Sequence, residues 1–401
     1  MKILQLCLKP PLPAKDGGCI AMNSVTHGLL HMQHEVHVLS VVTHKHPFIK
    51  EAFGDDYLKK TKFESVFIDT RLNLIDAFSS LITQDNYNIS RFFSPDFDKT
   101  LIHKLQQEDY DIIHLESLFM SPYIDTIRRV SKAKIVLRSH NLEYLIWERL
   151  ANSANNKAKK TYLKYLAKQL KEYELKVLNK VDGIAAISKE DEKKYSKVGC
   201  KTPLKTIPFG INTEEYQSDN YQNNEKEPYS IFHLGAMDWA PNQEGINWFL
   251  QIIWPKIKKD FPDLPFYIAG RGMQHWSGTV ADNQVKIIGE IDDAKAFIAN
   301  KGIMIVPILS AGGIRVKIIE GMALKKTIVT TSIGAEGIDV KNNQNILLAE
   351  GHDDFYRLIK KALKQEKWAS EIGANAEQYA HSHFNNAHIC EELVTFYQSI
   401  S

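Results

Sequence analysis

Cysteine is scarce in this chain: four residues in 401, Cys7, Cys19, Cys200 and Cys390, scattered with no CxxC or metal-type spacing. That excludes a disulfide framework and a zinc module, and it reads as reduced thiols in a reducing compartment. Long apolar runs are absent too. None approaches the ~18 residues that cross a bilayer, and the opening MKILQLCLKPPLP is too short for a signal sequence and breaks at Pro10. Charge of one sign does not dominate. The net charge is +2, so no global field points to nucleic acid, and none is expected as a partner. The chain is expected in the cytoplasm, with room for peripheral contact at the inner face of the cell membrane. Low-complexity tracts are missing, and the two halves share a pattern but no sequence repeat.

What is present is a globular composition, 44% hydrophobic and 24% charged, in a chain too long for one ordinary core. Short apolar runs alternate with longer amphipathic ones. KILQLCL (2–8), EVHVLSVV (35–42), DIIHL (111–115), KIVLR (134–138) and GIAAIS (183–188) predict buried strands. A helical pattern runs from about Cys19 to Met32, and a lysine-rich one from Asn156 to Lys180. After a polar, Asn- and Glu-rich stretch the rhythm restarts: SIFHLG (230–235), PFYIAG (265–270), VKIIG (285–289), GIMIVPI (302–308) and KTIVTT (326–331). Apolar strands separated by helices imply a parallel sheet covered on both faces. The predicted fold class is α/β: two Rossmann-like, doubly wound parallel-sheet domains, 1–205 and 206–378, facing a cleft. Residues 379–401 are expected to form a C-terminal helix returning to the first domain. Ligands in such folds sit beyond the carboxyl ends of the strands.

The stretch SAGGIRVKIIEGMALKKTIVTTSIGAEG (310–337) bears the chemistry. Gly312 and Gly313 let backbone N–H groups approach a ligand closely. A helix is expected to start near Ile314, and its N-terminus favours an anion. On that helix Ile314, Ile318, Ile319, Met322 and Ala323 form an apolar stripe into which Arg315 falls. A buried guanidinium is costly without an anionic partner, unless the helix starts one residue later and Arg315 turns to solvent. Lys317 and Glu320 share a face. They form either a helical ion pair worth at most ~0.5 kcal/mol or part of the site.

The pattern of a strand, Gly-Gly, Lys-x-x-Glu-Gly-Met-Ala, a β-branched strand and Gly-Ala-Glu-Gly resembles the donor-binding motif of retaining glycosyltransferases, glycosyltransferase family 4, with the two-domain GT-B fold. PPLPAKDGG (10–18), HEVHVLS (34–40), YDIIHLES (110–117), LRSHNLEY (137–144), VDGIAAISKED (181–191), IPFGINTEEY (207–216), FHLGAMDWAPNQEG (232–245), IAGRG (268–272) and VKIIGEIDD (285–293) are similar to other family segments, in order, over nearly the whole chain. The resemblance implies transfer of a sugar from a nucleotide-diphosphate donor to a saccharide or lipid-linked acceptor, with no cofactor beyond that substrate. Cell-envelope polysaccharide synthesis is the expected setting.

The resemblance also implies roles. Glu320 matches the second glutamate of the family's Glu-(seven residues)-Glu motif, which holds the ribose hydroxyls. The first would fall at Gly312, which has no carboxylate to contact the donor sugar. Backbone amides of Gly312, Gly313 and Ile314 can substitute there. The family's usual Arg and Lys after the first donor-domain strand are missing from GAMDWAPNQEG, so Arg315 and Lys317 are the substitutes for neutralising the diphosphate. Gly289 belongs to a nucleotide-facing loop. His140 matches the acceptor-domain histidine that reaches the donor sugar; its alternative is a loop histidine capping the next helix.

His114 and Glu116 are acceptor-side candidates, Glu116 as a base for the acceptor hydroxyl or as an ordinary strand-end carboxylate. Gly17 and Gly18 precede the first helix and either make a simple turn or aim backbone at a phosphate or the acceptor. Asp238 is expected to orient a loop. Trp239 either stacks on a sugar or base or packs. No Asp-x-Asp pair is placed to hold a metal against a diphosphate, so none is expected. On the helix over 156–180, Tyr162, Leu163, Leu166, Leu170, Tyr173 and Val177 can line a stripe opposite the lysines, suiting an anionic membrane or a solvated helix. FSSLITQDNYNISRFFSPDF (78–97) either lines an acceptor groove or joins a core. Two other functions stay open: a nucleotide-sugar 2-epimerase of the same architecture and a non-catalytic nucleotide-sugar-binding protein.

Overall fold

The computed structural model describes residues 1–14, 16–70, 92–154, 156–217, 221, 226–276, 278, 282–310 and 312–400. The chain divides into two units: Met1–Gly210 with Asn386–Ser401, and Ile211–Asn385. Unit one is built on strands β1 (Lys2–Cys7), β2 (Glu35–Val42), β3 (Glu64–Phe67), β4 (Ile112–Leu115), β5 (Lys134–Ser139), β6 (Gly183–Ala186) and β7 (Leu204–Thr206). They lie in the order β3-β2-β1-β4-β5-β6-β7, all parallel. The apolar runs form strands because both faces of the sheet are covered. Ile3, Val36, Val38, Ile112 and Val136 join one buried cluster, while Leu4, Leu6, Leu39, Ile113 and Leu137 join another. Successive side chains therefore enter opposite layers.

The helices of this part are α1 (Gly17–His31), α2 (Asp55–Lys60), α3 (Pro95–Gln107), α4 (Ile124–Val130), α5 (Glu143–Ser153), α6 (Lys157–Leu178) and α7 (Lys189–Lys197). Helix α1 begins two residues before the expected Cys19. Asp16 caps it by accepting from Cys19 N at 3.0 Å, so Gly17 and Gly18 occupy the first turn rather than a preceding loop. On α6, Leu170 and Val177 are buried as the stripe requires, but Tyr162 is 46% exposed and does not belong to it. Of the 78–97 segment, residues 78–91 lie outside the described residues; Phe92 and Phe97 are core, and Phe93 is exposed.

Unit two repeats the plan with β8 (Glu227–Leu234), β9 (Phe266–Ala269), β10 (Val285–Gly289), β11 (Lys301–Val306), β12 (Ile328–Thr331) and β13 (Leu347–Ala349), parallel in the order β10-β9-β8-β11-β12-β13. Its helices are α8 (Ala240–Trp248), α9 (Trp254–Asp260), α10 (Ala294–Asn300), α11 (Val316–Ala323), α12 (His352–Lys364) and α13 (Glu366–His383). The chain then returns to unit one as α14 (Asn386–Ile400). Ile389, Leu393 and Tyr397 of α14 bury against Met22 and Val25 of α1. Gly28 permits this approach: a Cβ there would meet Cys390 Cβ at 3.0 Å and Asn386 Nδ2 at 2.9 Å. The chain thus has the expected fold class, two parallel-sheet α/β units. Among the described residues no helix is long and apolar enough to cross a membrane.

Candidate active site

Strand order reverses between β1 and β4 in unit one and between β8 and β11 in unit two, so each unit has a crevice at the carboxyl ends of those strands. In unit two the loop after β8 is anchored by Gly235 N to Ala269 O at 2.9 Å and Met237 N to Arg271 O at 2.8 Å. A Cβ at Gly235 would collide with Lys317 Nζ and sit 2.8 Å from both Asn242 Nδ2 and His233 Nε2. Glycine there leaves room for the lysine head.

Helix α11 starts at Val316, two residues later than expected. Gly313 is left-handed (φ 80°) and Arg315, at the N-cap, is extended (φ −90°, ψ 95°). Arg315 therefore leaves the apolar stripe formed by Ile318, Ile319, Met322 and Ala323, yet it does not turn to solvent. It is 7% exposed, donates from Nη1 to Gly312 O at 2.5 Å, and lies over the Trp239 ring at 5.7 Å. Trp239 itself is 38% exposed. Among the described residues none takes the backbone N–H of Gly312, Gly313 or Ile314.

Lys317 and Glu320 are not paired with each other. Lys317 Nζ donates to Asn242 Oδ1 at 3.0 Å, and Asn242 Nδ2 donates to Ala236 O at 2.8 Å. Among the described residues Lys317 forms no ion pair. Burial, with the Arg315 charge adding to it, pushes its amine down to about 7; Glu320 opposes this. Glu320 accepts from Tyr216 OH at 2.7 Å. Burial pushes its carboxyl up, against Tyr216, Lys295 and Lys317. Gly289 ends β10 at φ 86° with open space where a Cβ would project, and its carbonyl accepts from Gly270 N at 2.8 Å. Asp238 Oδ1 lies 3.8 Å from Arg271 Nε, which fits an orienting role for that carboxylate. His233 carried no signal beyond its strand. It is buried with Nδ1 3.0 Å from Ile305 O, and burial plus the Lys317 charge hold it neutral.

In unit one, Glu116 follows β4 and is wholly buried, which is the reverse of an acceptor-facing base. Its Oε1 accepts from Gln5 Nε2 at 2.7 Å and lies 3.2 Å from His114 Nε2; its Oε2 lies 3.6 Å from both Arg138 Nη1 and His140 Nε2. Burial alone would raise this carboxyl, but Arg138 and His114 outweigh it and hold it well below the usual carboxylate range. His140, a quarter exposed, sits above it. Burial lowers the imidazole against the pull of Glu116, so it is neutral near pH 7. It does not cap α5, whose N-cap is Leu142. Gly17 and Gly18 offer less to a phosphate than expected. Asp16 already occupies the start of α1, and Lys9 Nζ neutralises it at 2.7 and 2.8 Å. Gly18 leaves the space for Lys9, whose Nζ would be 3.3 Å from a Cβ there.

The one His–carboxylate grouping among the described residues that could hold a metal, Glu35, His37 and Glu108, is cross-linked by Lys2 and Lys62 and begins at the amino end of β2.

Residues 21–215 match the family described as Glycosyltransferase Family 4, and residues 228–365 match Glycosyl transferases group 1. An uncharacterized 44.6 kDa protein in the cps region of Klebsiella pneumoniae is 24% identical over 98% of each chain. Sucrose-phosphate synthase from Thermosynechococcus elongatus superposes with a TM-score of 0.72 at 14% identity, covering 100% of this chain and 99% of that one. Anabaena HepE, solved in complex with UDP and glucose, superposes at 0.66 with 13% identity and complete coverage of both chains.

Proposed function

Since the chain belongs to glycosyltransferase family 4 and has the GT-B fold, we propose that it is a retaining enzyme that moves a sugar from a nucleotide-diphosphate donor to a saccharide or lipid-linked acceptor. A place in cell-envelope polysaccharide synthesis is part of this reading, supported by the relative in the cps region. One observation carries the donor site. Arg315 and Lys317 are drawn together at the start of α11, and Lys317 has only a neutral amide as partner among the described residues. The Arg315 charge presses on the Lys317 amine, and an anion bound at that amine would relieve it. HepE was solved with UDP and with UDP-glucose, which favours a nucleoside diphosphate as that anion.

The diphosphate would lie against the N–H groups of Gly312, Gly313 and Ile314, with Glu320 accepting from ribose hydroxyls. The anomeric carbon–oxygen bond to phosphate breaks while the acceptor oxygen bonds on the same face. The acceptor proton passes to the leaving phosphate oxygen, so no protein nucleophile, metal or further cofactor is needed. Arg315 and Lys317 stabilise charge that grows on the leaving group, and His140 hydrogen-bonds the transferred sugar. The test is a transfer assay over a panel of donors and acceptors with analysis of the anomer. An inverted product would refute retention.

Gly312 in place of a carboxylate favours a second reading, a nucleotide-sugar-binding protein without catalysis. Tight donor binding with no transfer or hydrolysis across the panel would establish it. Helix α6 supports membrane contact on the acceptor side. Lys157, Lys164 and Lys168 are exposed on one stripe, and Tyr165, 40% exposed, flanks it. Vesicle flotation with anionic against zwitterionic lipid tests it. Equal recovery with both lipids contradicts the reading.

A further inference from the structure

Beneath His140 lies a carboxylate that no substrate reaches. Glu116, His114 and Gln5 are completely buried and Arg138 is nearly so. Desolvation makes such a cluster expensive, and an apolar core of the same volume would hold the sheet as well. Its geometry is directional. Gln5 clamps Oε1 of Glu116, and Gln5 is itself held by Thr26 Oγ1 at 2.6 Å and by Met22 O at 3.3 Å. His114 faces the same oxygen, and its Nδ1 meets Tyr397 OH of α14 at 2.5 Å.

Gln5 bonds Oε1, and His114 Nε2 lies 3.2 Å from the same oxygen. Oε2 is left 3.6 Å from His140 Nε2 and from Arg138 Nη1, and among the described residues it accepts no hydrogen bond. His140 Nε2 likewise makes none there. A shift of about 0.6 Å closes the gap, and such bonds tighten when substrate is bound.

We propose that Glu116 is the positioning residue of His140. Its Oε2 receives the Nε2–H of the imidazole, which fixes the neutral tautomer with a lone pair on Nδ1. It also stabilises positive charge that reaches the ring during transfer. Arg138 keeps Glu116 ionised, and Tyr397 ties α14 to the same chain of contacts. The assignment rests on the reading that His140 serves the transferred sugar.

The first test is spectroscopic and needs no turnover. Full-length protein with nitrogen-labelled histidine reports the tautomer of His140, identified by comparison with His140→Ala. The wild type is expected as the Nε2–H form and Glu116→Gln as a mixture or the Nδ1–H form. An unchanged tautomer overturns the proposal. The second test is a mutant cycle. Glu116→Gln should lower kcat about tenfold to a hundredfold with donor KM within about twofold, and should cost nothing further in His140→Ala. Equal losses in both backgrounds mean a merely structural role and overturn it. If His140→Ala alone leaves transfer intact, the reading of His140 fails while the tautomer still decides the hold of Glu116. Should Glu116→Gln not fold, Gln5→Met removes one clamp. It enters the same cycle with an expected loss of about threefold.

Discussion

At the same place in the fold, unit one buries Glu116 among Arg138, His114 and His140, whereas unit two gathers Arg315 and Lys317 against an amide, a carbonyl and an indole. The first cluster contains its own counter-charge; in the second, among the described residues, Lys317 forms no ion pair. A charge already balanced can fix geometry and gains little from a further ion. An excess of positive charge with free backbone N–H groups beside it gains most from an anion. On the proposed reading, the contrast separates a site that positions from a site that binds.

The largest expected effect tests the binding half. Arg315→Ala should lower kcat of transfer by about a hundredfold or more, read as nucleotide release; a value within about twofold of wild type would break the comparison. Stability should then move in opposite directions in the two units. Glu116→Leu strands Arg138 and should cost about 3–5 kcal/mol, a drop in Tm on the order of 10 °C. Lys317→Met removes a half-buried amine whose folded form resists protonation, and should raise Tm by about 2 °C. Two drops of equal size would mean that Lys317 is balanced after all.

A smaller effect is the pH dependence of donor affinity. In the free protein the Lys317 amine lies at about 7, and a bound diphosphate raises it. Binding therefore takes up a proton above that value. Affinity should be highest below about pH 7 and fall towards about pH 9, by at most about tenfold per unit. The slope should vanish in Lys317→Met. The smallest effect is Tyr216→Phe, which removes the donor to Glu320 and should weaken donor binding about threefold in titration.

These sites were unequally legible in the sequence. Strands buried on both faces, such as KILQLC and GIMIV, announce themselves as apolar runs. The edge strands β3 and β7 do not, because Glu64–Phe67 is largely exposed and Leu204–Thr206 only partly buried. The proposed anion loop was legible as Gly-Gly before a helix. Its register was not, because the N-cap is an arginine rather than a Ser, Asp or Asn that would mark the helix start. Arg315 was assigned for a stripe it does not occupy, though its burial stands. The partners that define each site come from far along the chain: Gln5 with Glu116, His114 with Tyr397, Tyr216 with Glu320, Lys317 with Asn242. Local spacing holds no record of them.

Calorimetric titration with nucleoside diphosphates bears most directly on the central claim, that the start of α11 is a diphosphate site. Wild-type protein should bind one of UDP, GDP or ADP, and Arg315→Ala should bind it at least about tenfold more weakly. Equal affinity in the two proteins, or no binding of any diphosphate by the wild type, would contradict it.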